Sequence, residues 1–304
     1  MSHELDFVDE LRRRFPVRSP VQTGIGDDGA VIAGGDDSDQ TVVVTDMLLD
    51  GVHFDLSQTS AELAGRKAVS VNLSDLAAMG CRPTAAFVSV AVPGLAASRS
   101  LLASVYDGIE QLAEEFQFTV AGGDTNAWDG PFAINVCMTG VPTGSHAVLR
   151  SGAQPSDILA VTGPLGGSLA SGRHLTFEPQ LEAARQLIEH IQIHAMMDIS
   201  DGLAIDLHRM MDASGTGAVI DAELIPIHQD VPIALSAAER RHAALTDGED
   251  FELLVAVSAD QLSDLRRAGA CELTEIGVVT QERGCRISVD GATQPMTVGG
   301  WQHD

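Results

Sequence analysis

A chain of 304 residues is long for one hydrophobic core and comfortable for two domains. Its 43 acidic against 18 basic side chains give a net charge of −25 at neutral pH. That leaves no basic footprint for nucleic acid or an anionic membrane, and any phosphorylated ligand must come escorted by cations. Four scattered cysteines with no C-x-x-C pair argue against a zinc site and fit reduced thiols. The charged, amphipathic N-terminus is no signal peptide, and the longest apolar run carries a central proline, so the expectation is a cytoplasmic protein.

In chain order, residues 3–14 read as a helix. The stretch "GIGDDGAVI" (24–32) matches G-x-G-x-x-G, but "AVIA" after it reads as strand. A dinucleotide loop needs that spacing between a strand and a helix, so this reading fails. "GGDDSD" (34–39) reads as a solvated acidic stretch, and "QTVVVTDML" (40–48) as a strand. A helical pattern runs from Ser60 to Met79 and stops at Gly80. A strand (84–92), an amphipathic helix (98–116), a strand entering a glycine turn at "AGGD" (121–124) and another strand (132–142) follow. Polar residues 143–157 read as a connection between domains.

Beyond it, a strand at 157–163 precedes two helical stretches over about 165–194 and a helix beginning within "DISDGLAIDLHRMMDAS". Strand "GAVIDAE", a helix or loop, strand "FELLVAVS", helix "ADQLSDLRRAG" and short closing strands complete the chain. The loose alternation suggests two α/β-type domains. The glycine-rich "VTGPLGGSLASG" (161–172) could contact phosphate at a helix N-terminus, though tight strand–helix packing explains it as well.

Neither a Walker A loop nor the protein-kinase motif set is present; the chain's one lysine, Lys67, sits in "AGRKAV". What recurs is aspartate beside small residues: Asp28, Asp46, Asp124, Asp198 and Asp201. Taken singly, each is explained as a turn residue or helix cap. Asp75 is not. At helical spacing it faces Val71, Ala78 and Met79, and an unpaired carboxylate on an apolar face costs several kcal/mol, so a cation must meet it. Oxygen ligands favour Mg²⁺ or Mn²⁺ over zinc.

The segments "GIGDDGAVI", "VVTDMLLDGVHF", "KAVSVNLSDLAAMG", "AGGDT", "LRSGA", "MDISDGL" and "DGEDFELL" occur in the order seen in the thiamine-monophosphate kinase family. The chain resembles that family, within the aminoimidazole ribonucleotide synthetase-like superfamily, from about residue 20 to its C-terminus. The resemblance implies an α+β or α/β fold of two domains: 1–147, which binds ATP and magnesium and pairs in a homodimer, and 148–304, an α/β domain closing over the site. It implies ATP-dependent conversion of thiamine monophosphate to thiamine diphosphate, with no acid or base residue required.

Carried over by position, the magnesium ligands are Asp28, the Val44 backbone, Thr45, Asp46, Asp75, Asp124, Asp198 and Asp201. ATP meets Tyr106, Gly123, Asp124, Arg150 and Ser200; thiamine monophosphate meets His53, Glu249 and Trp301. Val44 stands where many relatives carry Ser, and Gly29 where Cys or Ala is commoner. On this reading Gly24 and Gly26 turn the chain so that Asp28 reaches a metal with Asp27 in support, and Gly29 is incidental. Other ATP-using enzymes of the superfamily and a non-catalytic, cation-binding acidic module are the competing readings.

Overall fold

The computed structural model describes residues 3–35, 39–95 and 98–301, so the acidic stretch at 36–38 and the last three residues lie outside it. Helix α1 (His3–Arg14) spans the expected residues, and its Arg12 guanidinium donates to the carbonyls of Ile25 (2.8 Å) and Gly26 (2.9 Å). Those two bonds pin the turn carrying Asp28.

The first sheet comprises β1 (Val21–Thr23), β2 (Ala30–Ala33), β3 (Gln40–Leu49), β4 (Cys81–Val92), β5 (Thr119–Ala127) and β6 (Ala133–Pro142), in the order β1-β2-β3-β6-β4-β5. All its pairs are antiparallel except β4–β5. Strand β6 shows why one face is covered: Ile134, Val136 and Met138 are buried, while the residues between them are not. Helices α2 (Ala61–Ala78) and α3 (Arg99–Glu115) lie over that buried face. Ser60 caps α2 by accepting from the Leu63 N–H, and Gly80 follows it in the left-handed region (φ +65°).

The second sheet contains β7 (Ile158–Val161), β8 (Ala195–Ile199), β9 (Gly217–Asp221), β10 (Glu252–Val257), β11 (Thr274–Thr280), β12 (Gly284–Val289) and β13 (Ala292–Pro295). Their order is β13-β12-β9-β11-β7-β10-β8, with only β9–β12 parallel. Helix α6 (Leu203–Ser214) packs on one face; α5 (Leu181–His190) and α8 (Ala259–Ala268) pack on the other. Ala77 and Ala78 of α2 join that second layer, so α2 lies between the two sheets and is buried nearly all round. Both sheets are mixed and mostly antiparallel, which makes the α+β form of the expectation the correct one.

Three local expectations are corrected. Residues 195–199 form β8 rather than the approach to a helix; all five are buried, so the strand has no alternation to reveal it. Gly122 and Gly123 lie inside β5 rather than in a turn, and a Cβ on Gly123 would sit 1.7 Å from the Val88 carbonyl oxygen. The span 165–194 holds a four-residue helix α4 (Ser168–Ser171), a 3₁₀ turn (Arg173–Leu175) and α5. Helix α7 (Ala237–Thr246) fills the stretch left open between helix and loop.

Candidate active site

A cleft opens where both sheets meet α2. Lys67, Val71 and Asp75, spaced by four along one side of α2, form its floor. Asp46, Met47 and Leu48 of β3 line it, with His53 in the turn after that strand. The second domain contributes Asp198 from β8, Ser200 and Asp201 from the loop before α6, Glu249 and Phe251 before β10, and Trp301 from the C-terminal tail.

One carboxylate oxygen from each of Asp28, Asp75 and Asp198 falls within 4.8 Å of the other two. The carboxyl groups of Asp75 and Asp46 lie within hydrogen-bonding reach of each other. Ser74 donates to Asp198 at 2.6 Å. Burial pushes the carboxyls of Asp75 and Asp198 well above the usual range; Asp46 lifts Asp75 further, and Asp28 lifts Asp198. Burial likewise raises Asp46, while the close approach of the Asp75 carboxyl opposes that rise. Among the described residues, no basic side chain forms an ion pair with Asp46, Asp75 or Asp198. Asp28 does have one, to Arg150, yet its Oδ2 is buried without a hydrogen-bond partner. Oxygen-only donors, an orphaned carboxylate oxygen and raised pKa values fit a hard divalent cation.

The supporting residues explain the positions. Asp27 accepts from the backbone N–H of Asp28 (3.0 Å) and from that of Arg150 (3.3 Å), so it ties the turn to the domain connection. Gly26 (φ +114°) supplies the turn's backbone freedom, whereas Gly24 has no positive φ. Gly29 is not incidental: a Cβ there would lie 2.7 Å from Val44 Cγ1 and 2.8 Å from Met79 Sδ, so it lets the turn approach β3 and α2. Asp201 is no helix cap. Fully buried Asp206 instead accepts from the N–H groups of Asp201 and Gly202, both at 3.1 Å, and its carboxyl is pushed up to about 7, chiefly by burial. Arg209 bridges Asp201 (2.5 Å) and Asp206 (2.8 Å).

At the other end, His53 Nδ1 accepts from the Leu49 N–H at 3.0 Å, which makes Nε2 the protonated nitrogen of the neutral ring. Lys67 Nζ contacts Glu249 Oε2 at 2.6 Å and donates to the His53 carbonyl at 2.8 Å. Phe251 stacks on Phe177 with centroids 4.0 Å apart. Trp301 is anchored by its N–H to the Asp201 carbonyl at 2.9 Å.

Of the sequence-derived candidates, Asp46, His53, Asp75, Asp198, Ser200, Asp201, Glu249 and Trp301 line this cleft, and Asp28 and Arg150 pair at its edge. Val44 points into the core beside it. Thr45, Gly123, Asp124 and Tyr106 are not brought there. Thr45 faces the opposite side of β3, where its hydroxyl donates to Asn135 (3.4 Å). Asp124 shares a second hollow on that outer sheet face with Met47, Ser89, Asn126 and Asn135. Tyr106 lies on the exposed side of α3. The glycine-rich loop offers no phosphate cradle: the Gly166 N–H donates to Asp250 and the Gly167 N–H to Asp247, both at 2.9 Å. Sequence reading passed over Lys67, Ser74, Phe251, Asp206 and Arg209. Lys67 was accessible to it, eight residues before Asp75 on the same side of α2.

The family described as AIR synthase related protein, N-terminal domain, matches residues 26–142, and its C-terminal domain counterpart matches residues 154–290. The thiamine-monophosphate kinase of Rhodopirellula baltica is 39% identical over 92% of this chain and 90% of its own. The chain belongs to the thiamine-monophosphate kinase family. Its relative in Bacillus subtilis is 32% identical over 99% of both chains. The solved structure of AaThiL complexed with AMPPCP and TMP superposes with a TM-score of 0.84 over 99% of this chain and 97% of that one, at 27% identity. The two sheets described above are the two AIR synthase-type domains shared by thiamine-monophosphate kinases.

Proposed function

We propose that this protein transfers the γ-phosphoryl group of ATP to thiamine monophosphate, forming thiamine diphosphate and ADP. The observation carrying this reading is the group Asp46, Asp75 and Asp198, three carboxyls without a basic partner among the described residues, in a cleft whose far end holds aromatic and hydrogen-bonding groups. An ATP analogue, AMPPCP, and TMP together name the ligands of the AaThiL complex, which supports the same pair of substrates here.

The acceptor is a phosphate monoester whose second pKa, near 6, leaves it mostly dianionic at neutral pH, so no base is needed. One of its oxygens attacks the γ-phosphorus directly as ADP leaves, with no covalent enzyme intermediate. Repulsion between two polyanions is what opposes the step. Asp28, Asp46, Asp75, Asp198 and Asp201, with the Val44 carbonyl, Thr45 and Asp124, would hold Mg²⁺. Bound there, it supplies the positive charge that offsets this repulsion. Arg150, Ser200, Gly123 and Tyr106 are assigned to ATP; His53, Glu249 and Trp301 orient the thiamine half.

The outer face of the first sheet exposes Met47 (60%) and Phe87 (43%), which are costly to leave in water. We assign it to a homodimer, and Thr45 and Asp124, which lie on that face, enter the ligand set only in the paired form. We divide the domains at 147/148, inside the connection after β6, and place the protein in the cytoplasm. Among the described residues, no helix is long and apolar enough to cross a membrane. The test is ATP turnover with Mg²⁺ and thiamine monophosphate, thiamine or an aminoimidazole ribonucleotide-type substrate as acceptor. Thiamine diphosphate should form only from the monophosphate; no turnover with it refutes the assignment.

A further inference from the structure

Lys67 is the only lysine in the chain and is 1% exposed, although it lines the cleft. Burying an ammonium without partners is costly, and this one has two, from different halves of the chain. Glu249 of the second domain lies 2.6 Å away, and the carbonyl of His53, in the first, accepts from Nζ at 2.8 Å. Both partners belong to the residues assigned above to the thiamine half of the substrate.

The backbone around Glu249 supports a built arrangement. Glu249 (φ +57°) and Phe251 (φ +53°) occupy the left-handed region, which non-glycine residues adopt only when their surroundings enforce it. The N–H groups of these two residues donate to the carbonyls of Ser200 (2.6 Å) and Ile199 (2.8 Å), and both side chains reach the cleft wall. Strained backbone delivers the carboxylate, and Lys67 receives it.

Helix α2 sets the spacing. Lys67 and Asp75 are eight residues apart, about 12 Å along a helix rising 1.5 Å per residue. Asp75 stands among the carboxylates; Lys67 stands two turns away, already committed to Glu249 and His53. It is therefore poorly placed to act on the transferred phosphoryl group. Burial lowers the Lys67 pKa and raises that of Glu249, while the attraction between them opposes both shifts. An ionised Glu249 is purely a hydrogen-bond acceptor and suits an N–H donor on the acceptor molecule.

We propose that Lys67 is a positioning residue for the phosphate acceptor: by holding Glu249 and the His53 turn together across the two domains, it sets affinity for the non-phosphate end of that substrate, leaving nucleotide affinity and the transfer step largely to other groups. This rests on the function proposed above, and wild-type turnover of thiamine monophosphate, measured in parallel, reads that function separately. Steady-state kinetics of Lys67→Met, Glu249→Gln and the double variant test the role. Lys67→Met should raise the KM for thiamine monophosphate about tenfold or more, with kcat and the KM for ATP within about threefold. On the Glu249→Gln background, Lys67→Met should raise the acceptor KM by no more than about threefold, because the part of its effect that passes through the carboxylate is already lost and only its hold on the His53 turn remains. The double variant buries neither charge, so it keeps the test open if Lys67→Met alone does not fold. An unchanged acceptor KM in Lys67→Met, a fall in kcat at constant KM, or a further tenfold rise in the double variant over Glu249→Gln would each overturn the proposal.

Discussion

A carboxylate inside a protein needs a counter-charge, a proton or several hydrogen bonds, and this chain uses all three. Arg150, Arg209 and Lys67 meet Asp28, Asp201 and Glu249, while burial and the neighbouring Asp46 hold the Asp75 carboxyl well above the usual range, toward its protonated form. Asp250 shows the same economics away from the cleft. It accepts from the Gly166 N–H and pairs with Arg173 at 2.9 Å, yet burial still pushes its carboxyl up to about 6 from 3.8. A folded pKa above the unfolded one means that the folded state binds the proton more tightly. The contribution to stability is then full below about pH 4 and is lost as pH rises through about 6. Relative to Asp250→Asn, the wild type should lose roughly 2 kcal/mol of unfolding free energy between pH 4 and 7, at about 1.4 kcal/mol per pKa unit. Urea unfolding of both proteins at the two pH values measures it, and a gap that stays constant contradicts the shift. The aspartates themselves were legible in the sequence because they sit in short motifs, and Asp75 stood out on spacing alone. Their arginine partners were not, since Arg150 and Asp28 are brought together across 122 positions.

Helix α2 is the element on which the site is built, and its contact with α3 depends on two glycines. A Cβ on Gly65 would fall 2.0 Å from the Val105 carbonyl oxygen, and one on Gly108 would fall 2.1 Å from that of Glu62. Both obstacles are backbone, so the helices must move apart to admit a methyl group. Gly65→Ala should cost about 1–3 kcal/mol despite alanine's better helix propensity. Calorimetry should show a lower Tm, and an unchanged or raised Tm would mean that the helices are not in close contact. At this scale the long, bounded elements were readable: α1, α2, α3, β3 and β6 fall within a few residues of expectation. What escaped were β8, a buried strand with no alternation, and the glycines of β5, which serve close strand contact where a turn was expected. Both features are set by what packs against them, which a local pattern does not contain.

For the molecule as a whole, the two sheets make a cleft that neither has alone: Asp46, Asp75 and Lys67 come from one side, and Asp198, Asp201 and Glu249 from the other. The outer face of the first sheet is the surface we propose for a second copy. Phe87→Glu should give monomers by sedimentation with an intact circular dichroism spectrum, whereas a dimer of unchanged affinity would place the interface elsewhere. The role proposed for the unpaired carboxylates of this cleft is to carry the transfer. Its most direct test is ³¹P NMR of ATP, thiamine monophosphate and Mg²⁺ with wild type and with Asp75→Asn. The wild type should form thiamine diphosphate and ADP one for one, and folded Asp75→Asn should form neither; thiamine diphosphate made by Asp75→Asn at the wild-type rate would contradict the claim.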